Sequence, residues 1–299
     1  MNRFSIRLFL VALFVMTFFP AHADEVSVAA MLEGLGGKVI RKDGAVAEIE
    51  FGDSKGLGAE QWEQIGGLSN LKKITVYGGA AGLNDATVSQ LMKLKNLESL
   101  SADGAQLSDS GLRTLAGCTS LRSVSFFHLS FRMEGFTGEG FAEWEAMPNL
   151  EKLTVAGMSM GDAGLAAIAK IKSLKELRTW HTAQSEAGNL MIATLPNLTS
   201  LMLGQRLPGG GKPPSLTDVS LQTIATIKTL ESLEIGEAKF SLDGLRKLGT
   251  LPNLKKLKIT KTEITDQDIA TLQGELPGMK VEFVPLTLDE RKKLEMYLK

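Results

Sequence analysis

Leu254-Lys255-Lys256-Leu257-Lys258-Ile259-Thr260-Lys261-Thr262-Glu263-Ile264-Thr265-Asp266-Gln267-Asp268-Ile269 contains one round of a repeating architecture. Leu257 and Ile259 are two apart, the spacing at which side chains of a strand return to the same face. Ile264-Thr265-Asp266 puts an apolar residue before a helix-capping hydroxyl, with an acid in the first turn where the helix dipole favours negative charge. Ile269 and Leu272, three apart, give the helix that follows one apolar stripe. The stretch reads strand, turn, helix, return.

Outward from this unit the pattern recurs. Asn, Ser or Thr followed by Leu opens a unit at Asn70, Asn96, Ser120, Asn149, Ser173, Asn197, Thr229 and Asn253, in steps of 26, 24, 29, 24, 24, 32 and 24. A period of 24 with two long exceptions is one repeat carrying two insertions. Apolar residues fall as L-x-x-L-x-L in every unit, from Leu71, Ile74 and Val76 onward, and only Leu174, Leu177, Thr179 ends in a polar residue. Helical pairs recur at Leu112 and Leu115, Leu165 and Ile168, Leu221 and Ile224, and Leu245 and Leu248. One unit cannot bury both its strand and its helix stripe. Stacked copies share a core, so the chain reads as a solenoid of about ten strands and not as two globules.

The run Leu254 to Asp266 resembles the leucine-rich repeat in its helix-backed, ribonuclease-inhibitor-like form. Leu107-Ser108-Asp109-Ser110-Gly111-Leu112-Arg113-Thr114-Leu115-Ala116-Gly117-Cys118-Thr119-Ser120-Leu121 is similar to the cysteine-containing form, and the whole chain is similar to exported bacterial leucine-rich-repeat proteins. The resemblance implies an α/β fold: a right-handed leucine-rich-repeat solenoid, a horseshoe arc with a parallel β-sheet on its concave face and helices on its convex face. It also implies a habit of binding, and no site residues. This chain departs from the pattern in its two insertions and in a Thr, Ala or Met where many members have Asn or Cys at the ninth position.

The ends read differently. Arg3 and Arg7 precede the 12-residue apolar run Leu8 to Phe19, and Ala21-His22-Ala23 has the small-x-small form of a signal-peptidase site, so residues 1–23 read as a signal peptide that leaves Asp24 first. As a helix the apolar run spans roughly 18 Å, short of a ~30 Å hydrocarbon core, which disfavours an uncleaved anchor. A lipoprotein needs a Cys just after that run, and the only one is Cys118. Residues 24–52 read as an N-terminal cap, a helix with Val28, Met31, Leu32 and Leu35 on one face and then a hairpin turning at Asp43-Gly44. Residues 53–277 hold the repeats, with insertions near 129–141 and 205–215, and 278–299 form a C-terminal cap of strand and helix, the helix opened by a Thr287-x-x-Glu290 capping box with Leu294 and Leu298 on its face.

Composition narrows the function. Of 299 residues, 33 are basic and 34 acidic, a net charge of −1, which lacks the positive excess of a nucleic-acid binder. The segment after Ala23 carries −3 and is not drawn to anionic membranes, so no stable membrane insertion is expected after cleavage. One cysteine excludes an internal disulfide framework and a Cys-rich zinc site, and Cys118 aligns with core positions of other units. H-E-x-x-H is absent, and Gly211-Lys212-Pro213 lacks the Ser/Thr and the earlier Gly of a phosphate loop. Asp85, Asp109, Asp162, Asp218 and Asp266 recur at repeat spacing and read as helix first-turn acids. No cofactor, no metal and no enzyme activity is expected.

Positions alternating with the inward leucines form the open face, mixed and serine-rich in its middle. At the strand ends the row runs Tyr77, Asp103, Phe127, Ala156, Trp180, Gly204, Gly236. Phe127 and Trp180, two rungs or roughly 10 Å apart over Ala156, suggest a notch that holds a flat or extended apolar group. His128 and His181, the only histidines after the signal, follow them at one register, and both insertions leave from this edge. The binding candidates are therefore Tyr77, Phe127, His128, Arg132, Arg178, Trp180, His181, Met202 and Arg206. A plainer reading makes Phe131, Phe136 and Phe141 a small core under a long loop with Trp180 as its lid. The expected function is an exported, periplasmic or secreted, non-enzymatic scaffold binding a protein or peptide. The alternatives are a small-ligand or glycan binder using the Phe127 and Trp180 notch, and a hydrolase using His128 or His181.

Overall fold

The computed structural model describes residues 25–53, 56–131, 133–205 and 214–297; residues 1–23, where a signal peptide is expected, Asp24, Arg132, Arg206, Gly209 to Pro213 and Leu298 lie outside them. Eleven strands form one sheet in chain order: β1 (Lys38–Lys42), β2 (Ala45–Phe51), β3 (Lys73–Val76), β4 (Ser99–Asp103), β5 (Ser123–Phe127), β6 (Lys152–Ala156), β7 (Glu176–Trp180), β8 (Ser200–Leu203), β9 (Ser232–Gly236), β10 (Lys256–Thr260) and β11 (Lys280–Val284). All pair parallel except β1, which turns through Asp43 and Gly44, both left-handed as a tight hairpin requires, and adds an antiparallel edge to the expected ten.

Helices return the chain between strands. They are α1 (Glu25–Gly34), α2 (Ala59–Ile65), α3 (Asp109–Leu115), α4 (Gly161–Ile168), α5 (Glu186–Ile192), α6 (Asp218–Ile224), α7 (Leu242–Arg246), α8 (Asp266–Glu275) and α9 (Leu288–Tyr297). Sequential parallel strands, each with its own backing segment, make this an open leucine-rich-repeat solenoid. The expected helix after Leu83-Asn84-Asp85 is a 3₁₀ segment over Val88–Lys93, because Asn84 closes a local turn by accepting from the Ala86 amide at 3.0 Å. The Thr287 and Glu290 capping box forms as read, and Leu294 is buried. Leu35 does not join the N-terminal buried face: α1 ends at Gly34, and Leu35 turns outward in the loop that follows.

The inward ladder is buried from Ile49 through Ile259, including Thr179, whose hydroxyl has no partner. Of the outward row, Thr75, Ala156, Gly204 and Gly236 are also buried. The first insertion splits. Phe136 and Phe141 join the common core and Phe131 stays outside, while the 3₁₀ segment Glu139–Ala146 packs between α3 and α4. Trp144 supplies the aromatic seal there, fully buried against Phe141 with ring centroids 4.8 Å apart and donating its indole N–H to the Leu112 carbonyl at 2.8 Å. Cys118 is buried too, and that burial pushes its thiol up to about 12, so it stays neutral and unreactive.

Two polar ladders stitch the units. The residue that opens each unit donates to a backbone carbonyl of the unit before: Asn96 to Ser69, Asn149 to Thr119, Asn197 to Lys172 and Asn253 to Lys228, all within 2.8–2.9 Å, with Ser120 and Thr229 doing the same by hydroxyl. Asn197 is therefore a structural residue of the stack. Asp85, Asp109, Asp162 and Asp218 of the recurrent acids do more than face a helix dipole, because each reaches forward to the next N-terminus, and Glu186 does the same in its unit. Asp85 accepts from the Ser108 amide and hydroxyl, Asp109 from Thr137 and the Gly140 amide, Asp162 from Ser185, Glu186 from Thr217 and Ser220, and Asp218 from Ser241. A Cβ at Gly111, Gly188 or Gly244 would run into the carboxylate of the preceding unit, which is why glycine recurs three residues after the cap.

Burial raises the Asp109 pKa, but the Gly140 and Thr137 bonds outweigh it and hold the carboxyl below its ordinary value. A depressed folded-state pKa contributes stability above the unfolded value, about 3.9, and loses it as pH falls through the folded value. Asp109→Asn is thus expected to cost about 1–3 kcal/mol near pH 7, the range for a hydrogen bond to charge. That margin should shrink below about pH 4 when melting is followed against pH. A margin independent of pH would remove the carboxylate from the clamp.

Candidate functional site

The strand ends meet at one rim. Phe127, Ala156 and Trp180 pair in register there, and Tyr77, 65% exposed, stands at the same edge. The notch expected between Phe127 and Trp180 is closed: the half-buried rings lean together over Ala156, edge to face, with centroids 6.0 Å apart. Alanine between them leaves room for that contact, which is favourable in itself. Trp180 does not cap the Phe136 and Phe141 cluster, which lies among the backing segments and is sealed by Trp144.

After β4 to β7, β9 and β10 the next residue adopts the left-handed conformation, Gly104 and Gly157 by glycine, but His128, His181, Glu237 and Lys261 with side chains at φ 49°, 51°, 60° and 50°. Such residues carry strain that the surroundings must hold. Here polar side-chain contacts do so. His128 Nδ1 meets Asp103 Oδ1 at 2.8 Å, and its ring, edge-on to Phe131 at 6.0 Å, covers Gly157, where a Cβ would collide with it. His181 Nε2 meets Glu237 Oε2 at 2.6 Å, and Lys261 Nζ approaches Glu237 Oε1 at 3.0 Å. Glu237 is only 9% exposed; burial raises its pKa, but His181 and Lys261 outweigh this and keep the carboxylate charged. The two histidines turn in opposite directions along the arc and do not converge on a shared ion.

Two hollows adjoin this cluster. One, of about 170 Å³, lies over Gly204 and Gly236 between Trp180, Met202, Thr260 and Lys261. The other, of about 210 Å³, lies between His181, Glu237 and Lys261 on the rim and Glu290, Lys293 and Leu294 of α9. The base of the second insertion is fixed here as well: Gln205 accepts from the Ser215 hydroxyl at 2.7 Å and amide, and donates to the Glu237 carbonyl at 3.4 Å. Of the sequence candidates, Phe127, His128, Trp180, His181 and Met202 lie at the rim or its hollows, and Tyr77 sits further along it. Arg178 lies on the open face beside Met202. Glu237 and Lys261 were not among them, although they follow Gly236 and Thr260 at the register of His181.

The fold defines a leucine-rich-repeat solenoid whose strand-end rim gathers aromatic, histidine and charged side chains. In structure the chain is similar to an internalin (InlF) from Listeria monocytogenes, with 17% identity, 75% of this chain and 71% of that chain covered, and a TM-score of 0.46. No protein-family model and no curated protein sequence matches it. Among the described residues no helix is long and apolar enough to cross a membrane.

Proposed function

We propose that the chain is an exported, non-enzymatic recognition scaffold that holds a protein or peptide segment on its open face and strand-end rim. The observation that carries this is the rim itself, where four non-glycine residues are held left-handed beside exposed or half-buried Tyr77, Phe127, Phe131 and Trp180. Left-handed side-chain-bearing residues and exposed aromatics gathered along one edge of a regular stack are features of a binding surface. Export rests on the Arg3-to-Ala23 pattern.

The test uses partners captured from the exported fraction, compared between wild type and Trp180→Ala. The variant is expected to weaken binding by about 2 kcal/mol, as loss of an aromatic anchor does. Melting should change little, because Trp180 lies outside the common core. A large stability loss with unchanged affinity would end the case for this rim. A second reading, a small-ligand or glycan binder, draws on the hollow over Gly204 and Gly236, since the notch between Phe127 and Trp180 is filled by their own contact. Saccharide binding without a stoichiometric protein partner would favour it.

A further inference from the structure

Arg178 occupies the middle of the open face, paired in register with Thr154 on one side and Met202 on the other, and with Glu176 and Trp180 two residues away on its own strand. It makes no ion pair with any described residue. The nearest lysines of the face do: Lys152 binds Glu176 at 3.1 Å and Lys258 binds Glu234 at 2.8 Å. The Arg178 guanidinium instead rests Nη2 on the Met202 sulfur at 3.2 Å, a weak acceptor, while its Nε is buried with no acceptor at all. A guanidinium presents a planar fork of donors suited to a carboxylate, and donors left unmatched in the free protein strengthen a ligand that supplies the acceptor.

We propose that Arg178 anchors a carboxylate side chain of an extended peptide partner, whose apolar residue two positions along seats on Trp180; this rests on the recognition reading above. Three features select that chemistry. The charge of Arg178 is uncompensated, so its complement is a single anion. Glu176 on the same strand and Glu234 two rungs away flank it, and they would repel a phosphate dianion more than a carboxylate monoanion. Arg178 and Trp180 are alternate residues of one strand, about 7 Å apart, and an extended peptide repeats its side chains on one face at the same interval. The preferred segment therefore reads acidic-x-apolar, lying along β7, its apolar side chain over Trp180 and the glycine-floored hollow beside it.

A phage-displayed library of random linear peptides, panned on the full exported chain, tests this. Enriched peptides are expected to carry Asp or Glu two positions from an aromatic or aliphatic residue. Their affinity should fall about tenfold or more with Arg178→Gln, the scale of a lost hydrogen bond to charge. It should fall with Trp180→Ala as well. Arg178→Gln should melt with wild type, since Arg178 has no ion pair to lose. Peptides that require Trp180 but bind Arg178→Gln unchanged would overturn the carboxylate anchor and leave the rim reading standing. A selection that returns no binder, or binders indifferent to both variants, would overturn both.

Discussion

Trp144→Ala is expected to cost about 3–5 kcal/mol, the usual penalty for emptying a large core position. The indole is fully buried, packs on Phe141 at 4.8 Å and Phe126 at 6.3 Å, and bonds the Leu112 carbonyl. Removing it leaves a cavity between two backing helices and costs the Leu112 carbonyl a donor. Trp144→Phe keeps most of the volume and should lose distinctly less. Denaturant unfolding of both, with half-buried Trp180→Ala as the comparison outside the core, checks the ranking. Equal losses for Trp144→Ala and Trp180→Ala would show that the core does not run through this segment.

Leu257→Asp should be as severe, about 4 kcal/mol or more, because it buries a charge with no partner. Leu257 is 1% exposed and pairs in register with Leu233 and Val281, so the new carboxylate would sit inside the ladder. Lys258→Asp, one residue along on the other face, loses the Glu234 pair and sets three acids side by side with Glu282, an exposed rearrangement worth about 1 kcal/mol. Thermal melting of the two variants reads the difference. Similar losses would mean that the inward and outward assignment is reversed.

The leucine ladder, the helix pairs, the caps and Cys118 were legible because each is a local pattern repeated at fixed spacing. Trp144 was not, although Phe141 and Trp144 are the same three-apart pair that appears as Leu112 and Leu115 or Leu165 and Ile168. Treating the segment as an insertion hid its alignment. The pair Asn189 and Ile192 was hidden for another reason: a buried asparagine breaks the apolar pattern, and its amide is matched only by Ser215 and Ser220 far along the chain. At the rim, register placed His128 and His181 in one row, two rungs apart. It could not give the direction each ring takes, which depends on Asp103 behind one and Glu237 two rungs ahead of the other. Nor does rung spacing reveal that Phe127 and Trp180 close their own gap, since long side chains cover more distance than their strands are apart.

The two polar ladders also bear on how such a chain grows. The Asn side chains that open units bond main-chain carbonyls, and the forward-reaching acids bond main-chain amides together with a Ser or Thr hydroxyl. Main-chain groups are offered by every unit whatever its side chains. A unit copied in place would arrive with joints that already fit its neighbours, needing only the opening Asn, the cap hydroxyl and the small residue behind it. Lengthening by tandem duplication is therefore structurally inexpensive, and drift after duplication is channelled away from the buried ladder and the joints, to the outward residues of each strand and the residue that turns the corner after them, where a change is matched by side chains of the adjoining units.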